Sequence, residues 1–165
     1  MTITAATRML AETRDLDEVR QIRDLAEAAR VYARAHHLGI EAQNHAGVIA
    51  VEADIRRGEI LRQMADEGER TRQGGDYTSE HSLRLEPSSP TLADLNTTKR
   101  ESANAQALAA EAETVRDWIT TARLITPARA ARVAMQTRHR REAREAPPLP
   151  AGIFNVIACD PPWEY

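Results

Sequence analysis

Apolar residues recur at steps of three and four along the first third of the chain, which is the spacing of one helix face. Between residues 15 and 38 this stripe consists of Leu16, Val19, Ile22, Ala26, Ala29 and Ala33. Between residues 41 and 67 a similar stripe consists of Ala46, Ile49, Ala53, Ile60 and Met64. Gly39 lies where a glycine would end the first helix. The pattern predicts two long helices that fold back as a hairpin or pair with another copy of the chain.

Residues 1–67 are predicted to form this long helical hairpin as one unit. The stripe is rich in alanine, so the helix backbones can approach closely, but its register is too irregular to predict a coiled coil. If the chain forms a homo-oligomer through the long helices, we expect the contact to use Val19, Ile22 and Ile49.

The helical pattern stops between residues 68 and 90, where paired glycines, serines and two prolines predict a linker. A helical region is predicted again for residues 91–145. It begins with a short helical piece at 91–95, and a helix from Thr98 to about Ala110 follows, with Ala105, Leu108 and Ala109 on its inner side.

Two further helices complete this region. One is predicted for residues 113–124, with Val115, Trp118 and Ile119 as its apolar side chains. Pro127 then opens the last helix at the first-turn position that proline favours. The proline-rich segment 146–152 is predicted to be a second linker.

The segment 91–110 has the outline of a helix-turn-helix, and Asn96 can adopt the left-handed backbone of a tight turn. Side chains on or near the outward side of the second helix could contact phosphates and base edges. These candidates are Lys99, Arg100, Ser102, Asn104 and Gln106. An ordinary helical hairpin with a solvated face fits the same residues, and the residues alone favour it because Glu101 opposes the approach of phosphate.

The last predicted helix is basic, with six arginines against two glutamates between residues 129 and 145. Clustered arginines neutralise phosphates and release counterions, so this helix could follow a nucleic-acid backbone. A solvated helix before a linker is an equally good interpretation.

Composition limits the remaining possibilities. The net charge of −3 gives no bulk attraction to nucleic acid, so any such contact needs a local basic patch. The single cysteine excludes an internal disulfide, and three histidines in the first helices lack further ligands, so no metal is predicted. The N-terminus has no apolar signal region, and no run approaches the roughly 18 apolar residues of a membrane helix. We expect a cytoplasmic protein without a membrane partner.

The sequence FNVIACDPPWEY closes the chain and has a distinct chemical character. Phe154–Cys159 is a near-continuous apolar run, as expected for a strand of a parallel sheet, and ligands bind beyond the carboxyl ends of such strands. Asp160 stands at that place, and Pro161 and Pro162 have no N–H groups, so the loop presents acceptors. With Trp163 as a stacking surface, these residues suit a flipped-out adenine or cytosine. The alternative is a proline turn beside a core tryptophan.

At these residues the sequence resembles a known family. IACDPPWEY is similar to the catalytic motif of N6-adenine methyltransferases of the permuted class, typified by the catalytic subunit of the messenger-RNA adenine methyltransferase. The resemblance implies that Asp160 and the carbonyl of Pro161 hold the adenine amino group, that Trp163 stacks on the ring, and that Pro162 keeps the loop rigid. The two segments ATRMLAETRDLDEVRQIRDLAEAARVYARA and TLADLNTTKRESANAQALA resemble the helical leader and helix-turn-helix-like segment of phage and prophage members.

The helical pattern predicts a mainly α chain. The resemblance implies that the first strand of a truncated α/β Rossmann-like methyltransferase domain, at 153–165, follows the hairpin and the helix-turn-helix-like segment. The chain has no glycine-rich cofactor loop. We therefore expect the N-terminal part of an S-adenosylmethionine-dependent enzyme that methylates nucleic acid, with DNA favoured over RNA. This part should be inactive and should not bind the cofactor, whose site would lie beyond Tyr165. The alternative is a non-enzymatic helical nucleic-acid-binding or oligomerisation module with a helix-turn-helix.

Overall fold

The computed structural model of the protein describes residues 3–70 and 89–145. This part of the chain contains six helices and no strand, which confirms the mainly α prediction for it. The helices are α1 (Ile3–Glu12), α2 (Leu16–Ala35), α3 (Ile40–Asp66), α4 (Lys99–Ala110), α5 (Ala112–Thr121) and α6 (Pro127–Glu145). The predicted strand Phe154–Cys159, the second linker and most of the first linker lie outside the described residues.

The long helical hairpin is confirmed as α2 and α3. Asp15 caps α2, and its carboxylate accepts the N–H of Asp17 at 2.8 Å. The prediction that Gly39 ends α2 is wrong. His37 has the left-handed backbone, with φ 53°, and the N–H of Leu38 closes the turn on the carbonyl of Ala33. The left-handed position falls two residues before the glycine, and histidine tolerates it better than most residues do.

Helix α3 lies at the centre of the molecule and packs against α1, α2, α4 and α6. On one side Ile49 and Ala50 contact Ala6 of α1 and Ala26 of α2. Other sides of α3 contribute to two further clusters of buried apolar residues. A helix enclosed in this way needs apolar or small residues on most of its sides.

This packing corrects the predicted surface for self-association. Val19 and Ile49 are buried inside the chain, and Ile22 packs against two of the internal clusters. The stripe was predicted from helical periodicity, which identifies an apolar face but does not identify what covers it. Here α1 and the partner helix of the hairpin cover it.

The helical segments before and after the predicted linker share one core. Val51 and Ile55 of α3 belong to the same buried cluster as Leu108, Val115 and Ile125. Two α3 glycines make this contact close. A Cβ atom at Gly58 would overlap the carbonyl oxygen of Ala105 in α4, and one at Gly47 would overlap that of Ile125 before α6. The backbones therefore meet at distances that only glycine permits.

Helix α1 was not predicted from the sequence. Its Ala6 and Leu10 are buried, one helical turn apart. Arg56 of α3 donates from Nε and Nη2 to the carbonyl of Thr13, at 3.1 and 2.8 Å, and so fixes the connection between α1 and α2.

We expect Gly58→Ala to lower the free energy of unfolding, even though alanine has a helix propensity better by about 1 kcal/mol. The added methyl meets backbone, which cannot move aside without separating α3 from α4, and such overpacking costs about 1–3 kcal/mol or more. Gly39→Ala is the matched control because open space surrounds that position. Urea denaturation compares the two variants. An equal or higher stability of Gly58→Ala would show that the α3–α4 contact is looser than described.

Candidate nucleic-acid interface

The predicted short helical piece at 91–95 is a single turn that does not extend into a helix. The Thr91 N–H and hydroxyl donate to the carboxylate of Asp94, and the N–H of Leu95 reaches the carbonyl of Thr91. Asn96 adopts the expected left-handed backbone, with φ 47°. A five-residue segment that follows a proline makes too few helical hydrogen bonds to continue as a helix.

Helix α2 holds this turn in place. Arg20 donates from Nη2 to the carbonyls of Leu95 and Asn96, at 2.7 and 2.9 Å. These bonds link residues about 75 positions apart in sequence. The entry to α4 is therefore fixed against the hairpin.

The beginning of α4 is a capping box. The hydroxyl of Thr98 accepts the N–H of Glu101, and the carboxylate of Glu101 accepts the N–H of Thr98 at 2.9 Å. These bonds to the Thr98 backbone and hydroxyl hold the pKa of Glu101 below its usual value. Lys99 and Arg100 are exposed beside this cap. Glu101 therefore serves to start the helix, and it also places a negative charge beside these two cations.

The other three candidates on α4 do not all face outward. Ser102 is only 2% exposed, which contradicts its predicted position on the outward side. Its hydroxyl accepts a hydrogen bond of 2.7 Å from Gln106, which is half-buried, as is Asn104. Periodicity placed Ser102 incorrectly because α4 packs against both α3 and α6 and buries more than one side. Of the five candidates, only Lys99 and Arg100 are exposed.

Helix α6 is anchored at its start by α3. The N–H of Ile125 donates to Oδ1 of Asn44, and Nδ2 of Asn44 donates to the carbonyl of Arg123, at 2.9 and 3.0 Å. Pro127 opens the helix, as predicted, and Thr126 accepts the N–H of Arg129. The loop before α6 therefore has little freedom to rotate.

Alanines form the buried side of α6, and a buried carboxylate fixes its second half. Ala130, Ala131 and Ala134 are buried. Glu111, at the junction of α4 and α5, is also buried, and its Oε1 lies 2.6 Å from Nη1 of Arg141. The anchors at both ends determine which side of α6 faces solvent.

The exposed side of α6 is basic. Arg129, Arg132, Gln136 and Arg140 follow one another at helical steps of three and four, opposite the alanines. We call these four residues the basic face of α6. Arg138 and Arg141 lie outside this face, paired with Glu142 and Glu111. Within the described parts of the chain, Arg132 and Arg140 make no ion pair, so their guanidinium groups are available to a ligand.

The sequence alone could have located this face. The number of arginines predicts a basic helix but does not assign them to its sides. The three buried alanines at 130, 131 and 134 have the spacing of one helix face, and the arginines at 129, 132 and 140 avoid it. The separation of alanines and arginines onto opposite sides of the helix therefore predicts which side faces solvent.

A second group of charges lies between α2, α3 and α4. Asp54 is 5% exposed, and its Oδ1 lies 3.2 Å from Nη2 of Arg57 and 3.7 Å from Nε of Arg23. Burial raises the pKa of Asp54, and the two guanidinium groups oppose this only in part. A raised pKa means that this carboxyl binds its proton more tightly in the fold than in the unfolded chain, so its contribution to stability falls as pH rises through that pKa. The group is enclosed by helices, and we assign it a structural role.

The four candidate catalytic residues, Asp160, Pro161, Pro162 and Trp163, lie outside the described residues. In residues 3–70 and 89–145, no three metal-ligating side chains come together. In the same segments, no helix combines the length and the apolar content needed to cross a membrane.

Comparison of the chain with protein-family models, with curated proteins and with solved structures gives no match. A function can therefore be inferred only from the sequence motif and from the surface of the described helices.

We expect Asp54→Leu to lower the free energy of unfolding by about 3–5 kcal/mol, because Arg57 would remain buried without a carboxylate. The double variant Asp54→Leu/Arg57→Met should lose less free energy of unfolding than the sum of the losses in the two single variants, because it removes both charges. Glu12→Ala breaks an exposed ion pair with Arg8 and should cost under about 1 kcal/mol. A double-mutant cycle measured by urea denaturation tests this, and strict additivity would contradict the described contact.

Proposed function

We propose that this chain supplies the nucleic-acid-binding and target-base-binding part of an S-adenosylmethionine-dependent N6-adenine methyltransferase, with DNA as the favoured substrate. The observation that supports the chemistry is the sequence Asp160-Pro161-Pro162-Trp163 directly after the apolar run Phe154–Cys159. The observation that supports nucleic-acid binding is the basic face of α6.

The proposed chemistry assigns separate tasks to the motif residues. The carboxylate of Asp160 and the carbonyl of Pro161 accept hydrogen bonds from the exocyclic amine of adenine, and Trp163 stacks on the ring. S-adenosylmethionine, when bound, supplies the methyl group. The residues of this chain orient the amine, and positioning of this kind accounts for a large part of the rate in a one-step displacement.

The basic face of α6 is the proposed contact with the phosphate backbone. Arginine suits phosphate because its planar guanidinium can donate two parallel hydrogen bonds. Arg132 and Arg140 lie eight residues, and therefore roughly 12 Å, apart on one side of the helix. Two groups at that separation can contact different phosphates. Lys99 and Arg100 add positive charge at the beginning of α4, where the helix dipole also favours an anion.

The second candidate function is a helical module that binds nucleic acid without methylating it. The observation that favours this function is that the described helices share one core and that the basic face consists of residues of α6. The two functions make the same prediction for binding and different predictions for methyl transfer.

The double variant Arg132→Ala/Arg140→Ala should bind duplex DNA more weakly than the wild-type chain at all sequences. The salt dependence of binding should also fall, by about one unit of slope for each phosphate contact removed. Fluorescence anisotropy with labelled DNA and RNA over a series of salt concentrations measures both quantities and also compares the two nucleic acids.

Arg8→Ala/Arg62→Ala is the matched control, because it removes the same charge from exposed positions on α1 and α3. Equal losses of DNA affinity in the two double variants would mean that binding depends only on the net charge of the chain. An unchanged affinity of the α6 variant would remove the basic face from the proposal.

In the whole protein, we expect Asp160→Ala to nearly abolish transfer of labelled methyl from S-adenosylmethionine to adenine-containing DNA. Trp163→Ala should weaken base capture by about 1–3 kcal/mol, the usual contribution of one base–aromatic stack, and Trp163→Phe should retain more activity. Full activity of Asp160→Ala would refute the proposed site. DNA binding with no methyl transfer in the wild-type protein would favour the binding module.

A further inference from the structure

Gln136 lies at the centre of the basic face of α6. It is exposed, and within residues 3–70 and 89–145 its amide makes no hydrogen bond. At about 100° of rotation per residue, Arg132 and Arg140 lie about 40° to either side of it, and Arg129 lies about 20° away. The three buried alanines of the helix lie at least about 120° away. Gln136 therefore points away from the helices that pack against α6.

No carboxylate of α6 shares the side that carries Gln136. The two acidic residues of the helix are Glu142 and Glu145, about 120° and 180° around the helix from Gln136. Glu142 accepts a hydrogen bond of 2.6 Å from Arg138, which holds it on the other side. The basic face is therefore positive along its length, and its central residue is a neutral amide.

Helices α4 and α5 pack against the opposite side of α6. Leu108 of α4, Val115 of α5 and Ala134 of α6 belong to one buried cluster, and the loop 122–126 connects α5 to α6. Three packed helices with a polar outer side on the third are the outline of domains in which the third helix enters the major groove of DNA. This outline lies one helix further along the chain than the segment 91–110.

We propose that α6 is a recognition helix, that it enters the major groove of duplex DNA, and that Gln136 reads a paired adenine there. This inference rests on the proposed function and adds a specificity-determining residue to it. The adenine is a second one in the recognition sequence, because the base that is methylated has to leave the stack.

The spacing of the three central side chains fits this groove. The major groove of B-DNA is about 12 Å wide and admits an α-helix, whereas the minor groove, about 6 Å wide, is too narrow for one. Arg132 and Arg140 lie about one turn before and one turn after Gln136 and diverge to opposite sides, so they can bind phosphates of the two strands. Gln136 then lies between them and faces the base edges.

A glutamine amide matches the edge of adenine. In the major groove adenine presents its N6 amino group as a donor and N7 as an acceptor, and the amide accepts from the first and donates to the second. Guanine presents two acceptors there, which would leave the amide oxygen unpaired at a cost in free energy. Duplex RNA has a deep and narrow major groove that side chains cannot read, so the same contact favours DNA.

Fluorescence anisotropy of the 165-residue chain with two labelled duplexes tests the role of Gln136. One duplex contains A·T pairs in mixed order. The other has 7-deazaadenine in place of every adenine, which removes N7 from the major groove and leaves the base pairing and the minor groove unchanged. The wild-type chain should bind the first duplex at least about fivefold more tightly, the lower end of what one bidentate base contact contributes.

Gln136→Ala should lose this preference and bind both duplexes equally. Its salt dependence should match that of the wild type, because the substitution removes no phosphate contact. Alanine favours a helix at this exposed position, so helix content by circular dichroism should not fall. Gln63→Ala is the matched control, since it removes an exposed glutamine from α3, and it should keep both the affinity and the preference.

Two results would overturn this inference and leave the proposed function intact. One is equal affinity of the wild type for both duplexes, with binding that still depends on Arg132 and Arg140. The other is a preference that persists in Gln136→Ala. Tighter binding of duplex RNA than of duplex DNA would contradict entry into the major groove. A chain that binds no DNA would contradict the proposed function, and this inference with it.

Discussion

Helix α3 is enclosed by four other helices, and a helix in that position has few sides on which a charged residue can face water. Its sequence shows the consequences. Gly47 and Gly58 occupy the places where neighbouring backbones come closest. Asp54 and Arg57 are ionisable residues in the enclosed part, and they lie beside each other because neither could be buried alone without a large desolvation cost. The other helices are positioned by their packing around α3.

The orientation of α6 depends on its contacts with α3. Asn44 and Gly47 of α3 contact the loop before α6. Glu111 fixes the second half of α6 through its ion pair with Arg141. Because the buried side of α6 is alanine, the helix lies close to its neighbours and cannot rotate without burying arginine. The direction of the basic face is therefore set by the core. A surface charge pattern fixed in this way is suited to phosphate groups, whose spacing along a nucleic acid is regular.

Long amphipathic elements could be predicted from the sequence, whereas the choice of buried face in the short ones could not. The hairpin of α2 and α3, the left-handed Asn96 and the start of α6 at Pro127 were all correct, since each depends on local spacing or backbone preference. Ser102 was misplaced because α4 has neighbours on two sides, and periodicity assumes one. His37 was overlooked in favour of Gly39 because the left-handed position depends on where α2 ends. The motif at Asp160–Trp163 stays a prediction from sequence.

The two exposed faces differ in a way that bears on what each can bind. The outward side of α2 presents Leu25, Val31 and Tyr32 with small residues between them, and apolar surface of this kind gains most by excluding water against another protein surface. The basic face of α6 presents guanidinium groups and an amide, with Met135 the one large apolar side chain of the helix that is well exposed. When guanidinium groups bind phosphate oxygens, charge-assisted hydrogen bonds to these acceptors replace the bonds to water. The outward side of α2 and the basic face of α6 therefore suit ligands of different chemistry, and they lie on different helices.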